Sequence, residues 1–301
     1  MKNFSISFLP FLLATVLLLP GCASNSNSGG GAAGVDYEGT RGPASGSLVV
    51  VGGSMQDPAI FARFIDLAGG WDANIVVVPT AAADSIPQEY LDRIRQRFAD
   101  RGVQNLTVLH TKDRELADSE AFTEPVRQAD GVWFTGGRQW RIVDSYMGTL
   151  TQQAFEDVLE RGGVIGGSSA GATIQGSYLA RGDSRTNTIM MGDHEEGFAY
   201  IENVAIDQHL LQRNRQFDLV EIIEAKPHLL GIGLDENTAI VVQGDVFEVM
   251  GESFVAVYDA SRWEAGDSDL EALPRGELFQ LLDAGQRYNM RTRTVLEEDE
   301  D

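Results

Sequence analysis

A serine turn flanked by glycines is the sequence feature that most constrains this chain. Residues 163–174 read GVIGGSSAGATI. The short apolar run Val164-Ile165 predicts a buried strand, and the small residues after the second serine predict the start of a helix. A strand, a tight turn and a helix in this order are typical of a nucleophile elbow, which exposes a serine hydroxyl. In the G-x-S-x-G register the nucleophile is Ser169 rather than Ser168. A glycine-rich turn that binds a phosphate, or only reverses the chain, is the alternative.

Apolar runs and amphipathic segments alternate along the rest of the chain. Residues 47–51 and 131–134 form nearly continuous apolar runs, whereas residues 58–68 and 151–161 carry apolar side chains at helical spacing. Continuous runs are typical of parallel strands that are buried on both faces. After Asp235 the chain becomes rich in strands. The sequence therefore predicts an α/β fold with a doubly wound, mostly parallel, flavodoxin-like sheet and antiparallel strands near the C-terminus.

Several turns follow the predicted strands directly. Loops at the carboxyl ends of parallel strands form the binding crevice of such a sheet, so these turns are expected to converge around the serine. They are Gly52-Gly53, Pro79-Thr80, Gly136-Gly137 and Ser169 itself.

A serine nucleophile needs a general base, and the chain has four histidines. His209 lies in a polar cluster that directly follows the apolar run 204–206, which is where a site at a strand end is expected. His194, in an acidic loop, is the main rival. A metal site built from Asp193, His194, Asp207 and His209 lacks a recognised ligand spacing, so no metal or other cofactor is predicted. The other two histidines fit structural roles: His110 and His228.

The N-terminal residues have the character of an export signal. An apolar run from Phe8 to Leu19 is too short for a stable transmembrane helix and indicates a signal peptide over residues 1–21. The sequence LPGC, which ends at Cys22, resembles a bacterial lipobox, in which the cysteine is acylated. Cys22 is the single cysteine of the chain, so lipidation also explains an unpaired exported thiol. The alternative is an ordinary signal peptide followed by a chance cysteine.

Composition divides the remainder into three parts. Residues 22–46 are rich in Ser, Asn, Gly and Ala and are interpreted as a flexible tether. Residues 47–290 form the predicted hydrolase domain, and residues 291–301 the predicted acidic tail. The formal net charge of −22 disfavours nucleic acid and anionic lipid surfaces as partners. It favours a cationic substrate, although a solvated acidic surface is the more ordinary explanation.

Blocks around both predicted site segments resemble one family. GSSAGA at residues 167–172, together with DQHLLQRNR at residues 207–215, resembles the cyanophycinase group of serine peptidases, which includes dipeptidase E. FTGGRQ at residues 134–139 and GIGLDENTA at residues 231–239 are similar to further blocks of that group. The resemblance covers about residues 47–259 and leaves out the leader, the tether and the tail.

The resemblance implies a fold related to class I glutamine amidotransferases, with serine in place of the nucleophilic cysteine. It implies Ser169 as nucleophile, His209 as general base and Asp183 as the acid that orients the imidazole. Glu195 and Glu196 are alternatives for that acid. The resemblance also implies an oxyanion hole made by the backbone N–H groups of Gly137 and Ala170, and a substrate cleft lined by Gln139, Asp207, Gln208, Arg213 and Arg215.

These features together predict an exported serine peptidase, anchored by a lipid at Cys22 in the periplasm or at the cell surface. The resemblance points to cyanophycin, a polyaspartate with arginine on each side-chain carboxyl, as substrate and to β-aspartyl-arginine dipeptides as products. Asp218 stands near the place of another cleft arginine of the family, which leaves the substrate open. An aspartyl dipeptidase and a non-catalytic binding lipoprotein of the same fold are the alternatives. A second copy of the chain is a further candidate partner.

Overall fold

A computed structural model describes Met1, residues 39–264 and residues 275–297 of the 301-residue chain. The predicted signal peptide beyond Met1, Cys22 and most of the predicted tether lie outside these residues. The helices are α1 (Pro58–Leu67), α2 (Gln88–Asp100), α3 (Arg114–Ala117), α4 (Glu120–Arg127), α5 (Trp140–Tyr146), α6 (Leu150–Glu160), α7 (Ala170–Thr173) and α8 (Asp218–Ala225). The strands are β1 (Ser47–Val51), β2 (Asn74–Val78), β3 (Asn105–Val108), β4 (Gly131–Phe134), β5 (Val164–Ser168), β6 (Gly176–Tyr178), β7 (Ile201–Gln208), β8 (Leu230–Leu234), β9 (Thr238–Gln243), β10 (Val246–Gly251), β11 (Val255–Asp259), β12 (Trp263–Glu264), β13 (Arg275–Gly276), β14 (Gln280–Leu282), β15 (Arg287–Asn289) and β16 (Thr294–Leu296).

Local sequence accounts for where the helices begin and end. α1 begins at Pro58, whose missing N–H costs nothing in the first turn, and the side chain of Asp57 caps it by accepting from the N–H of Ala59 at 2.8 Å. Gly69 and Gly70 follow its end with φ of 101° and 107°, a backbone conformation that stops a helix. The sequence signals for this helix therefore agree with its observed bounds.

The large sheet holds nine strands in the order β16-β15-β10-β9-β1-β5-β4-β2-β3. Its centre is parallel, since β1, β5, β4, β2 and β3 all run in the same direction. The four strands on the other side of β1 are antiparallel, beginning with β9. The predicted α/β fold with a largely parallel sheet and antiparallel C-terminal strands is therefore confirmed.

A second sheet of five strands has the order β14-β11-β8-β7-β6. β6, β7 and β8 are parallel, while β11 is antiparallel to β8. The sequence did not predict this division of the strands, because the apolar runs of β7 and β8 have the same character as those of the large sheet. The separate sheet matters because β7 and β8 end beside the serine turn.

The core lies in layers on both faces of the large sheet. Alternate residues of β1 point to opposite faces, so Leu48 and Val50 belong to one apolar cluster and Val49 and Val51 to another. α1 and α2 cover the second cluster. α6 and the inner face of the second sheet cover the first, and α8 packs on the outer face of that sheet. The central strands are thereby buried on both sides.

The folded domain extends beyond its predicted limits of residues 47–290 at both ends. Within the predicted tether, Arg41 forms a β-bridge with Glu202, and the hydroxyl of Ser45 donates to the carbonyl of Leu159 at 2.9 Å. Within the predicted tail, β16 pairs with β15 as the edge of the large sheet. Backbone pairing, which composition does not reveal, corrects both boundaries. None of the helices among the described residues is long and apolar enough to cross a bilayer.

Candidate active site

The serine turn forms at the end of β5, where the chain reverses sharply into α7. Ser169 has φ 58° and ψ −113°, a strained conformation for a residue with a side chain. A Cβ at Gly167 would lie 2.1 Å from the carbonyl oxygen of Gly171, and one at Gly171 would lie 2.1 Å from that of Phe134. Both flanking glycines are therefore required by close packing. The geometry is that of the predicted nucleophile elbow.

His209 reaches the serine from the second sheet, just after β7. Its Nε2 lies 2.9 Å from Oγ of Ser169, so the imidazole can accept the hydroxyl proton. The backbone of His209 is also strained, with φ 56°, and its N–H donates to the carbonyl of Gly52 at 2.9 Å. A Cβ on Gly53 would lie 2.2 Å from Cε1 of the imidazole. The glycine turn after β1 therefore forms the wall against which the ring rests.

The acid that is hydrogen-bonded to His209 is Glu236 and not Asp183. Oε1 of Glu236, which lies beyond the end of β8, is 2.5 Å from Nδ1 of His209. The carboxylate of Asp183 instead accepts from the backbone N–H groups of Arg185 at 2.8 Å and Thr186 at 2.6 Å. The prediction that Asp183 orients His209 is wrong in this structure, because its carboxylate holds its own loop.

The two alternative acids also have other partners. The carboxylate of Glu195 accepts a hydrogen bond from the hydroxyl of Tyr178 at 3.4 Å and forms an ion pair with Lys226 at 3.3 Å. Glu196 forms a backbone β-bridge with Tyr178, and its side chain is exposed. A signal for Glu236 was present in the sequence, since the acidic pair Asp235-Glu236 directly follows an apolar run. Glu236 lies next to His209, however, only because β8 pairs with β7.

The remaining histidines do not contact the serine. Nε2 of His194 lies 2.9 Å from Asp144 and its Nδ1 3.3 Å from Asp193, in a largely exposed ion-pair cluster. Nδ1 of His110 lies 2.9 Å from the hydroxyl of Thr80. The rival base of the sequence analysis, His194, is therefore tied to a different part of the surface.

Backbone N–H groups suited to an oxyanion lie beside the serine. Ala170 is the first residue of α7, and Gly137 belongs to the turn after β4. A Cβ on the adjacent Gly136 would lie 3.2 Å from Cβ of Ser169, so this turn abuts the nucleophile. Within the described ranges, neither the N–H of Gly137 nor that of Ala170 donates to another residue. Their role as an oxyanion hole stays a prediction.

Four of the five residues predicted to line the substrate cleft are buried and bonded to the protein itself. Asp207 is fully buried and forms a bidentate ion pair with Arg181, at 2.8 and 3.0 Å. Arg215 donates to the backbone carbonyl of Gln208 at 3.0 Å and to its side-chain oxygen at 3.1 Å. The amide of Gln139 donates to the carbonyl of Ala180 at 2.6 Å and to that of Arg181 at 3.0 Å. These contacts occupy polar groups of Gln139, Asp207, Gln208 and Arg215 within the protein, and the role of these residues in a substrate cleft stays a prediction.

Arg181 was missed by the sequence analysis, and it explains Asp218. The guanidinium of Arg181 contacts Asp218 as well as Asp207. Asp218, which is partly exposed, is therefore an ion-pair partner of the buried Arg181. Arg213 is the exposed member of the predicted cleft set, and no described carboxylate forms an ion pair with it.

The electrostatics keep the imidazole neutral. Burial is the largest influence on His209 and lowers its pKa from the ordinary 6.5, while the hydrogen bond to Glu236 acts in the opposite direction. Arg213 and Arg215 lower the pKa further by repulsion, so the net shift is downward. Burial alone would raise the pKa of Glu236, but hydrogen bonds from Ser54 and His209 bring it below its usual value. A neutral base beside an ionised acid is the arrangement that serine hydrolysis needs.

Comparison with known proteins gives consistent matches over the same region. The sequence model of peptidase family S51 matches residues 48–250. A cyanophycinase from Geminocystis herdmanii is 31% identical over 259 residues, which are 82% of this chain and 94% of that protein. A cyanophycinase from Trichormus variabilis is 29% identical, over 83% of this chain and 87% of that protein. The crystal structure of a peptidase from an acI-B1 actinobacterium superposes with a TM-score of 0.59 at 25% identity, covering 81% of this chain and 97% of that one.

Substitution of Glu236 tests whether this residue, rather than Asp183, is the acid that orients His209. Glu236→Gln should lower kcat on the order of 10³-fold or more, because glutamine neither stabilises the imidazolium nor holds its tautomer. Asp183→Asn is the matched control and should lose far less, since asparagine keeps the oxygen that accepts from the loop N–H groups. The measurement is kcat for steady-state hydrolysis by both variants, after each has been shown to fold. A large loss only in the Asp183 variant would contradict the assignment.

The pH dependence should report the environment of His209. Because the pKa of His209 is lowered, the acid limb of kcat/KM should lie below pH 6.5. Arg213→Gln removes a repelling cation, so the pKa should rise and the acid limb should move to higher pH. Rate profiles of the wild type, of this variant and of Arg93→Gln, on the exposed face of α2, measure the shift. An acid limb that stays in place or moves to lower pH in the Arg213 variant would refute this electrostatic account.

Proposed function

The chain belongs to peptidase family S51 and is a serine-type peptidase, and on that premise we propose that it hydrolyses cyanophycin to β-aspartyl-arginine dipeptides. The observation that carries this proposal is the hydrogen-bonded line from Ser169 through His209 to Glu236. It occurs in a chain that shares 31% identity with a cyanophycinase along most of both sequences. Membership of the family by itself identifies a peptidase that acts on peptide bonds.

The proposed reaction proceeds through an acyl-enzyme. Oγ of Ser169 attacks the scissile carbonyl carbon while its proton passes to Nε2 of His209. The carbonyl oxygen becomes an oxyanion, for which Gly137 and Ala170 offer N–H groups. His209 returns the proton to the departing amine as the C–N bond breaks. A water then attacks the ester and gives one proton to His209, which passes it to Oγ of Ser169; the product leaves as a carboxylic acid and loses its remaining proton to solvent.

The charges of cyanophycin are complementary to those of the protein. Each unit of cyanophycin carries one guanidinium and one free carboxylate on its branching arginine. The protein has an acidic excess of −22, which attracts the guanidinium groups over long range. The exposed Arg213 lies near the catalytic residues and can attract a carboxylate. Aspartyl dipeptides share the carboxylates but lack the repeated guanidinium, which makes an aspartyl dipeptidase the second candidate.

Export and lipid anchoring belong to the same proposal. They are supported by the LPGC sequence that ends at Cys22, and these residues lie outside the described part of the chain. An exported enzyme would act on polymer released by other cells. Anchoring at the outer membrane or cell surface would keep its products near the cell that takes them up.

Digestion of purified cyanophycin tests the activity. The wild type should release a product with the mass of β-aspartyl-arginine, and Ser169→Ala should be slower on the order of 10³-fold or more. The serine variant controls for contaminating peptidases. Turnover of aspartyl dipeptides with intact cyanophycin would favour the dipeptidase. A wild type that neither cleaves these substrates nor reacts with a fluorophosphonate probe would favour a non-catalytic binding protein.

Expression of the full chain in a Gram-negative host tests the anchor. The mature protein should begin at an acylated Cys22 and sediment with membranes, and Cys22→Ser should release it to the soluble fraction. Mass spectrometry of the amino terminus identifies the acyl groups. An unmodified terminus beyond residue 22 in the wild type would remove the anchor and leave the hydrolase proposal intact.

A further inference from the structure

A groove of about 650 Å³ runs between α2 and the carboxyl ends of β4 and β5. Its volume lies within the usual range for sites that bind small molecules. It is lined by Gly136 and Ser168, beside the catalytic serine, and also by Arg97 and Arg101. Two arginines therefore share one groove with the residue that precedes the nucleophile.

The groove is continuous with the site of the reaction. Ser168 directly precedes the nucleophile, and a Cβ on Gly136 would lie 3.7 Å from Oγ of Ser169. A smaller recess of about 230 Å³ shares Tyr90 and Gly136 with the groove and extends past Gly137. A peptide chain bound at the serine can thus extend along α2 without leaving the surface of the protein.

The two groove arginines differ from their neighbours on α2 in lacking an ion pair. Arg93 and Arg95, on the same helix, form ion pairs with Glu89 at 3.0 Å and Asp92 at 2.8 Å. Among the described residues, by contrast, no carboxylate forms an ion pair with Arg97 or Arg101.

The surroundings place these two guanidinium groups close to each other. Arg101 stacks over the ring of Phe61, with its guanidinium carbon 4.8 Å from the ring centre. Partial burial lowers the pKa of Arg101, and repulsion from Arg97 lowers it further. The two residues are four apart, so they lie on one side of the helix end. Two neighbouring, unneutralised cations in a groove are a site for an anion.

We infer that the groove along α2 is a second substrate subsite, in which Arg97 and Arg101 bind carboxylates of the chain that flanks the scissile bond. The inference takes its occupant from the proposed function: the free carboxylate of a branching arginine in the neighbouring unit. Asp100 lines the same groove and offers a carboxylate to the guanidinium of such a unit. The subsite would make the enzyme prefer long chains over the shortest ones.

Paired arginine variants of one helix test the subsite. The test variant is Arg97→Gln/Arg101→Gln, and the matched control is Arg93→Gln/Arg95→Gln, which removes the same charge from two exposed arginines of α2 that are already ion-paired. The readout is the ratio of kcat/KM for a long β-aspartyl-arginine oligomer to that for a two-unit oligomer. The test variant should lower this ratio about threefold to tenfold, chiefly through KM, at low salt.

The alternative role of these arginines is to stabilise the C-terminal end of α2 through its dipole. A lowered Tm with an unchanged substrate ratio would overturn the inference in favour of that role. An equal fall of the ratio in both double variants would overturn it in favour of general electrostatic attraction.

A binding measurement distinguishes a failure of this inference from a failure of the proposed function. If the wild type does not cleave cyanophycin, the proposed substrate is wrong. Fluorescently labelled polyaspartate can then be titrated against both double variants in the Ser169→Ala background. Weaker binding only by the Arg97/Arg101 variant would still support a carboxylate subsite. Equal binding by all variants would overturn it.

Discussion

Three successive carbonyl groups at the end of β1 hold the catalytic segments together. The carbonyl of Val51 accepts from the N–H of Ser169 at 3.0 Å, and that of Gly52 from His209 at 2.9 Å. The carbonyl of Gly53 accepts from Asn237, next to Glu236, at 2.8 Å. The nucleophile, base and acid come from different strands and from two sheets. One short stretch of backbone therefore sets their mutual distances, and the large sheet that buries β1 makes that stretch rigid.

The same arrangement requires strain, which the rest of the fold must offset. Ser169 and His209 both have positive φ without being glycine, and each such residue costs about 1–3 kcal/mol. Gly53 removes a different conflict, because any side chain there would overlap the imidazole. Local propensity is thus violated at both residues that exchange the proton. This distribution is expected of a site that a well-packed core holds in place.

The sequence was sufficient for features that depend on short-range patterns. The elbow and the position of His209 follow from apolar runs that end in particular residues. The acid was not predictable in this way, because Glu236 meets His209 only through the register of β8 beside β7. The second sheet was missed for a related reason, since a buried strand does not reveal which sheet it joins. Likewise, β16 has an unremarkable composition, and its pairing with β15 alone places it in the domain.

Ion pairing inside the protein also limits which arginine side chains are left to bind a substrate. Arg181 and Arg215 are almost fully buried and are occupied by Asp207, Asp218 and Gln208. Removing one partner from such a network leaves an uncompensated charge, so these arginines contribute to the stability of the fold. The chain has 23 basic residues against 45 acidic ones. Arg213 is exposed and acts electrostatically on His209, and no described carboxylate forms an ion pair with it, so a substrate carboxylate is the partner that its position favours.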